Sequence, residues 1–524
     1  MSDIYVPGLS SRFNSGKVIE DLMRLERVPR DRAVSNIEKI QKEKKYWQDL
    51  SNTTKTLRES ATQLFSYQNP FNDRTVTSSD ESVLTGTAMR DSMQQDISFT
   101  VKQIAQADRF LSSPLQDNFK VESGTYTFTI GKDEVSFDYK GGTLKDFSDT
   151  LNRRGRNLIQ SSLITVKSGT KSLLIESKVT GEDNSLIFSG ASLALGGNTG
   201  MIELFSGEDG APAQLRPLNA VSTARDAIVS MEGIEVYRPT NEIDDLIPGV
   251  TLKLKGASER PVRLQVEMDT EGVKDAIISF IGNYNRLMAE INILTARSSF
   301  SGIIEEIQDP ITKQIKQVYK TNADDTILNE LTYLTADERA EMRNRLGVFN
   351  NDSTLSQIRN TLMRIVTDPY PNTADESLNL LIQIGIGTDI RRTGGANPSK
   401  LRGYLEIDEK VLDAAISKNL PAVKQLFGSD TTGDLLVNTG IAYSVDALTK
   451  PYVESTGIFA LKAGNIDSKI QQESRRIETL DRQLAAKEAD LKRQYSQMEG
   501  AYNRMEQMGT SLDRFQQQNS NNNR

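Results

Sequence analysis

The chain has 524 residues, 71 acidic and 63 basic side chains, a formal net charge of −8, and neither cysteine nor histidine. The two absences exclude disulfides, thiol nucleophiles, the usual zinc sites and every Ser-His or Cys-His arrangement, leaving carboxylates, Lys, Tyr and backbone for any chemistry. The acidic balance argues against nucleic acid as a main partner, and no run of about 18 apolar residues is present to cross a membrane.

Length alone predicts about three or four domains. The start, Met1 to Gly8, has no basic segment followed by an apolar one, so no secretory signal peptide is expected. A chain threaded unfolded through a narrow export channel would also lack cysteine; compositional drift is the alternative.

In chain order, Val18, Ile19, Leu22, Met23 and Leu25 predict a first helix that Pro29 ends. A second helix follows, with Ile37, Ile40, Trp47 and then Leu50, Thr54, Leu57, Ala61 and Leu64 at spacings of three and four. From Thr75 to about Asp269 the period changes to two. Tyr126, Phe128, Ile130 and Val135, Phe137, Tyr139 flank Gly131-Lys132-Asp133 as a hairpin. Thr143 and Asp146 stand in capping-box spacing ahead of Leu144, Phe147 and Leu151, and a second hairpin is expected around Lys167 to Thr170. The stretch Gly190 to Gly210 reads as a loop, after which Ile234, Val236, Val250, Leu252, Leu254, Val262, Leu264 and Val266 return to strand patterning. The interruption suggests one β-rich domain inserted in another.

Helical period resumes with Val273, Ile277, Phe280, Tyr284, Leu287, Ile291 and Leu294. Further helices are expected over Thr335 to Leu346, Leu355 to Val366 and Glu409 to Phe427. From about Ala463 to Phe515 an apolar residue returns every seventh position, at Ile470, Ile477, Leu484, Leu491, Met498, Met505 and Leu512. This is one column of a coiled coil. Its companion column carries Glu473, Lys487 and Gln494 where a self-sufficient zipper wants Leu, so the helix needs a partner. The series Leu50 to Leu64 is the partner expected. Such a helix of about 50 residues spans roughly 75 Å, the dimension of a stalk or leg. Gln516 to Arg524 is Gln/Asn-rich and is expected to be disordered.

Candidates for chemistry are weak. Glu305-Glu306 and Asp324-Asp325 are the nearest acidic pairs for glycoside hydrolysis, but neighbours on a helix do not face each other. Gly190 to Gly197 lacks the ending of a phosphate loop, and Asn350 to Ser353 lacks the glycine and final glutamate of a calcium loop. Lys42 to Lys45 and Arg153 to Arg156 read as solvated basic faces. No catalytic residue, metal or cofactor is assigned.

Ala224-Arg225-Asp226-Ala227, Gly233-Ile234-Glu235-Val236 and Asn241 through Leu254, in that order, resemble the central signature of the flagellar filament-capping family, also called flagellar hook-associated protein 2. Pro7-Gly8-Leu9-Ser10-Ser11, Leu22-Met23 and Glu26-Arg27-Val28-Pro29 match near the start; Gly403 to Glu409 and Gly457-Ile458 match late in the chain. The resemblance is weakest from about Phe119 to Asn219, and departs at Arg12-Phe13-Asn14, where the family commonly has Gly-Leu-Asp, and at Arg30, where Leu is usual. It implies a ring-shaped homo-oligomer at the distal tip of a bacterial flagellum, external or periplasmic. Such a cap is exported without a cleaved signal, retains flagellin and promotes its polymerisation; it has no enzymatic step. Its partners would be itself, flagellin, the export apparatus and an export chaperone on the C-terminal helix, with neither nucleic acid nor membrane.

The expected fold is multidomain α and β. Residues 1–45 and 450–524 form a helical coiled-coil leg, 46–72 and 272–449 a mostly helical domain, 73–105 and 220–271 a β-rich head, and 106–219 an inserted outer head. Leu22, Met23, Leu50, Leu57, Leu64 and the heptad column Ile470 to Leu512 are the leg and filament-contact candidates. An adhesin whose β-rich head binds mucin or glycan is the alternative from another class.

Overall fold

The computed structural model describes residues 15–205, 214–296, 304–308, 315–319, 328, 331, 335–388, 390 and 402–521. The chain divides into a unit of residues 1–69 with 274–524 and a unit of residues 70–273. The fold class is the expected one, long terminal helices with β-rich segments between them.

The first helix, α1, runs unbroken from Ser15 to Phe65 with Pro29 inside it, correcting the predicted break. Proline removes one helical hydrogen bond, and in a helix interior it costs about 3 kcal/mol. Met23 and Ala33, buried on either side of Pro29, hold the helix through it. Tertiary burial overrides local propensity here.

The unit of residues 70–273 holds two separate apolar cores. One lies within a five-stranded antiparallel sheet, ordered Arg74–Ser78, Val262–Met268, Gln95–Gln103, Ala227–Met231, Ile234–Arg238, and a three-stranded sheet of Glu242–Ile247, Val250–Leu254 and Leu84–Ala88. Its buried members include Phe99, Val101, Val229, Leu252 and Leu264, the inward-facing half of a period-two pattern. The second core gathers Tyr126, Phe128, Phe147, Leu173, Ile175 and Phe188. There Lys120–Ile130 pairs with Asp133–Thr143, Ile130 opposite Asp133, so Gly131-Lys132 is the two-residue hairpin loop. Ile159–Lys167 and Thr170–Ser177 form the second hairpin. Helix α2, Leu144–Gly155, starts with Thr143 and Asp146 in a reciprocal capping box and buries Leu144, Phe147 and Leu151.

The expected loop after Gly190 is instead helix α3, Ala191–Asn198, followed by the strand Ile202–Phe205. Ser192, fully buried, accepts from the Ser189 N–H and donates to the Thr127 carbonyl. A side chain on Gly196 would come within 2.6 Å of Ile202. The glycines thus serve close packing as much as turning.

In the helical unit, α4 (Thr270–Leu294) carries the predicted series, with Ile277, Phe280, Tyr284, Leu287, Ile291 and Leu294 excluded from solvent. Next are α5 (Ala336–Arg343), capped by Thr335, and α6 (Ser353–Thr367), capped by Asp352. Then comes α7 (Glu409–Phe427), capped by Asp408. It kinks at Asn419, whose side chain recaps the second half by accepting from the Ala422 N–H. A 3-10 turn, Leu381–Ile384, lies against the start of α7, where the Asp408 N–H donates to the Gly385 carbonyl. Helices α8 (Ile441–Val453) and α9 (Ile458–Asn521) complete the unit. The helix passes through Gln516 to Asn521, where a disordered tail was expected; Gln is a sound helix former and continues turns already made.

Candidate assembly interface

Helix α1 contributes its first two thirds to a seam with α9, and a ladder of polar rungs fixes an antiparallel register. The Ser15 hydroxyl donates to Glu499. Arg30 Nε lies 3.2 Å from Asp481, Asn36 donates to Glu473 at 3.1 Å, and Lys44 donates to Asp467 at 2.6 Å. Position rises along α1 as it falls along α9. Hydrogen bonding to Asp481, with a smaller contribution from Asp31, pushes the Arg30 guanidinium pKa further up. The exposed rungs at Arg30 and Asn36 set register and contribute little stability, since surface ion pairs are worth about 0–1 kcal/mol, whereas Ser15 and Glu499 are buried.

The apolar part of the seam is narrow. Ile19, Met23 and Ala33 from α1 are buried, as are Phe459 and Ile466 from α9. Ile470, Ile477, Leu484 and Leu491 are half-buried, because two helices alone cover one side of each stripe. Of the gaps foreseen in the companion column, Glu473 is met by Asn36, Gln494 turns to Asp490 on its own helix, and Lys487 stays in water.

The base of the seam is its tightest part. Trp47 stacks on Phe349 at 4.4 Å and lies 5.7 Å from Phe459. Lys462 sits 5.1 Å from the Trp47 ring and donates to Asp352 at 2.7 Å. Burial raises the Asp352 carboxyl, but Lys462 and the helix-start N–H groups more than offset this and hold it below the ordinary range. One side chain both caps α6 and anchors α9. Beside it Arg345, buried, reaches Asp49 at 2.7 Å and Glu290 and Glu341 at 3.3 Å, with Tyr46 under its guanidinium at 5.0 Å. Burial pushes the Glu290 carboxyl up.

The predicted residues separate into three groups. Leu50, Leu57 and Leu64 are fully buried, and Leu57 and Leu64 lie past the point where α9 begins. Their end of α1 is covered by α8, where Arg58 Nε meets Asp446 at 2.7 Å and Phe65 packs edge-on to Tyr443 at 5.7 Å. The expected pairing of this series with the C-terminal helix is corrected for its later part: on the register of the rungs, Ile458 at the start of α9 falls near residue 53 of α1, so Leu57 and Leu64 lie beyond it. Met23, Ile470, Ile477, Leu484 and Leu491 are in the seam. Leu22, Met498, Met505 and Leu512 face water, with Met505 68% exposed. Past the Ser15–Glu499 rung, Tyr502 and Met508 extend the same exposed stripe, and Leu25 extends it on α1.

Among the described residues no group of three or more acidic side chains is placed to hold a metal, and no helix is long and apolar enough to cross a membrane. Glu305-Glu306 lie on the strand Ile304–Gln308 rather than a helix, Asp324-Asp325 lie outside the described residues, and Asn350 to Ser353 lead into the α6 cap. Sequence reasoning missed Arg345, Glu290, Phe349 and Lys462. No spacing brings them together; only the packed fold does.

Residues 224–507 match the family model for the flagellar hook-associated protein 2 C-terminus, and residues 11–108 match that for its N-terminus. A flagellar hook-associated protein 2 of Treponema maltophilum is 28% identical, covering 92% of this chain and 94% of the relative. That of Treponema pallidum (strain Nichols) is 26% identical, with both chains covered completely. The crystal structure of the D1-D2-D3 domains of the flagellar cap protein from Escherichia coli is similar in fold, with a TM-score of 0.51 and 21% identity. It covers 80% of this chain and 99% of that one.

Proposed function

The chain belongs to the flagellar hook-associated protein 2 family, and on that premise we propose that it is a homo-oligomeric cap at the distal end of the bacterial flagellar filament, where it retains exported flagellin and promotes its polymerisation. In this reading α1 and α9 are legs that grip the filament end. The observation that carries it is the apolar stripe Met498, Met505, Met508 and Leu512, exposed among the described residues: a long exposed apolar strip marks a surface that meets another protein. Helix-in-groove docking at these spacings is a recurrent recognition mode. The same stripe offers itself to an export chaperone before assembly.

The four-part division also belongs to this proposal: leg 1–45 with 450–524, helical domain 46–72 with 272–449, head 73–105 with 220–271, and outer head 106–219. The two separate cores of the β-rich unit favour the division between the heads.

The test is Met505→Asp with Leu512→Asp, assayed by electron microscopy of labelled protein on preformed flagellin filaments and by flagellin lost to the medium from cells carrying the variant. Bare tips and leaked flagellin are expected. Normal tip labelling with no leakage would sink the leg assignment.

A further inference from the structure

The second core of the β-rich unit is backed by a sheet with one open margin. Thr170–Ser177 pairs on one side with Arg109–Leu111 and Leu115–Gln116 and on the other with Ile159–Lys167, which has no further strand beyond it among the described residues. Main-chain groups alternate in direction along such a strand. The Leu173 N–H donates to the Ser112 hydroxyl and its carbonyl accepts from the Ser112 N–H. Leu163, opposite Leu173, therefore turns its own N–H and carbonyl away from that strand, as do Ser161 and Thr165. At Ser161 the outward groups are met. The Asn152 side chain accepts from the Ser161 N–H at 2.7 Å and donates to its carbonyl at 2.9 Å, as a neighbouring strand would. At Leu163 and Thr165 no described group takes that place, and past Thr165 the register shifts before Lys167.

Open sheet edges are ordinarily guarded by charge or proline. Ser161 to Val166 carries neither. Instead Ile164 and Val166, 44% and 46% exposed, set β-branched apolar side chains along the margin, a composition that favours strand pairing. The open window, Leu163 to Thr165, is bounded at one end by Asn152 and at the other by the register shift, and it matches itself under a two-fold axis. In an antiparallel pair centred on Ile164, Leu163 of each copy opposes Thr165 of the other, so the outward N–H and carbonyl groups of both pair off. Ile164 meets its own counterpart as the closely spaced, non-hydrogen-bonded pair. The end that Asn152 closes then falls opposite Lys167, where the other strand has left the register. A pair centred on Leu163 would set Thr165 against Ser161, which Asn152 already holds; one centred on Thr165 would set Leu163 against Lys167, beyond the shift. The window is uncharged, so the pairing brings no like charges together.

We propose that a second copy of this chain adds to the open edge of Ile159–Lys167 through the same edge, with Ile164 on the two-fold axis. Such a contact is isologous and closes at two copies. Three residues of edge fall short of the about 800 Å² per partner that a self-sufficient complex buries, so the pairing takes hold where copies are concentrated or already linked. The chain has no cysteine, so single replacements report the register. In concentrated full-length protein under mild oxidant, Ile164→Cys should give a disulfide-linked pair, its two Cβ atoms being about 4.5–5.5 Å apart. Ser162→Cys, exposed on the same strand but about 13 Å from its counterpart in this register, should link at least tenfold more slowly. Thr165→Pro removes an N–H that faces outward, a position where edge strands tolerate proline. Added to Ile164→Cys it should cut linkage at least tenfold with unchanged circular dichroism, whereas Thr165→Val, which keeps the N–H, should not. Equal linkage at positions 164 and 162, or linkage indifferent to Thr165→Pro, would overturn the pairing. Either result leaves the cap reading standing, since that reading is tested on the α9 stripe.

Discussion

Replacing Trp47, the sole tryptophan, by alanine should release the base of the seam. The side chain is 4% exposed, and truncating a buried Trp costs about 3–5 kcal/mol through lost transfer energy and the cavity left behind. Within that, the Phe349 stack contributes about 0.5–1.5 kcal/mol, and the Lys462 contact about 0.5–2 kcal/mol. Trp47→Phe, which keeps most of the apolar volume, should lose less than half as much. The assay is thermal and urea unfolding followed by circular dichroism, with tryptophan fluorescence as a local probe in the wild type. The transition of the helical unit should fall on the order of 10 °C in Trp47→Ala. The β-rich unit, which has its own cores, should be unmoved. A loss below about 1 kcal/mol, of the size seen for surface substitutions, would refute the claim that this ring cluster anchors the seam.

Removing the Arg345 charge as Arg345→Met leaves Glu290 and Asp49 facing each other, and breaking such a buried pair costs about 3–5 kcal/mol; Glu290→Met added to it should recover part of the loss in a double-mutant cycle of unfolding free energies. Asp352 sits below its ordinary pKa, so the stability it contributes is present above the unfolded value near 3.9 and is lost as pH falls through the folded one. Asp352→Asn should accordingly be less stable at pH 7 and lose less on acidification, read from urea midpoints at each pH. Thr143→Ala should cost the β-rich unit about 1 kcal/mol through its capping box, without shifting the helical transition. Amide exchange along α9 should be slow between Phe459 and Leu491 and fast after Gly500, as measured on the free protein; uniform protection to Leu512 would mean the stripe is already covered.

What the sequence carried was local. Thr143 with Asp146 announces a helix start because the two groups satisfy each other within one turn. Gly131-Lys132 announces a hairpin because strand twist selects such turns, and Ile277 to Leu294 announces a buried helix through its spacing. Pro29 misled because propensity is decided residue by residue, whereas the helix is held by Met23 and Ala33 against another element. Gly190 to Gly197 misled because glycine composition marks loops and close packing equally, and only Ile202 tells them apart. The heptad column on α9 was legible as a stripe needing a partner. Which helix met it was not, since Leu50 to Leu64 offers an equally good stripe to α8. Arg345 and its acids were invisible, since Asp49, Glu290 and Glu341 come from α1, α4 and α5 and Arg345 from the turn after α5.

The rungs of the seam join residues up to 484 positions apart, Ser15 with Glu499 and Arg30 with Asp481. Closing so long a loop as free chain is slow, and contacts of this separation form late. Folding of the intervening units shortens the effective loop, so the order of events is dictated: β-rich cores and helical body first, seam last. During synthesis, the first half of α1 waits as a lone amphipathic strip until the final 60 or so residues arrive, about as long as a chain of this length can be made to wait. Any partner that binds one helix of the seam in that interval acts as a timer on its completion.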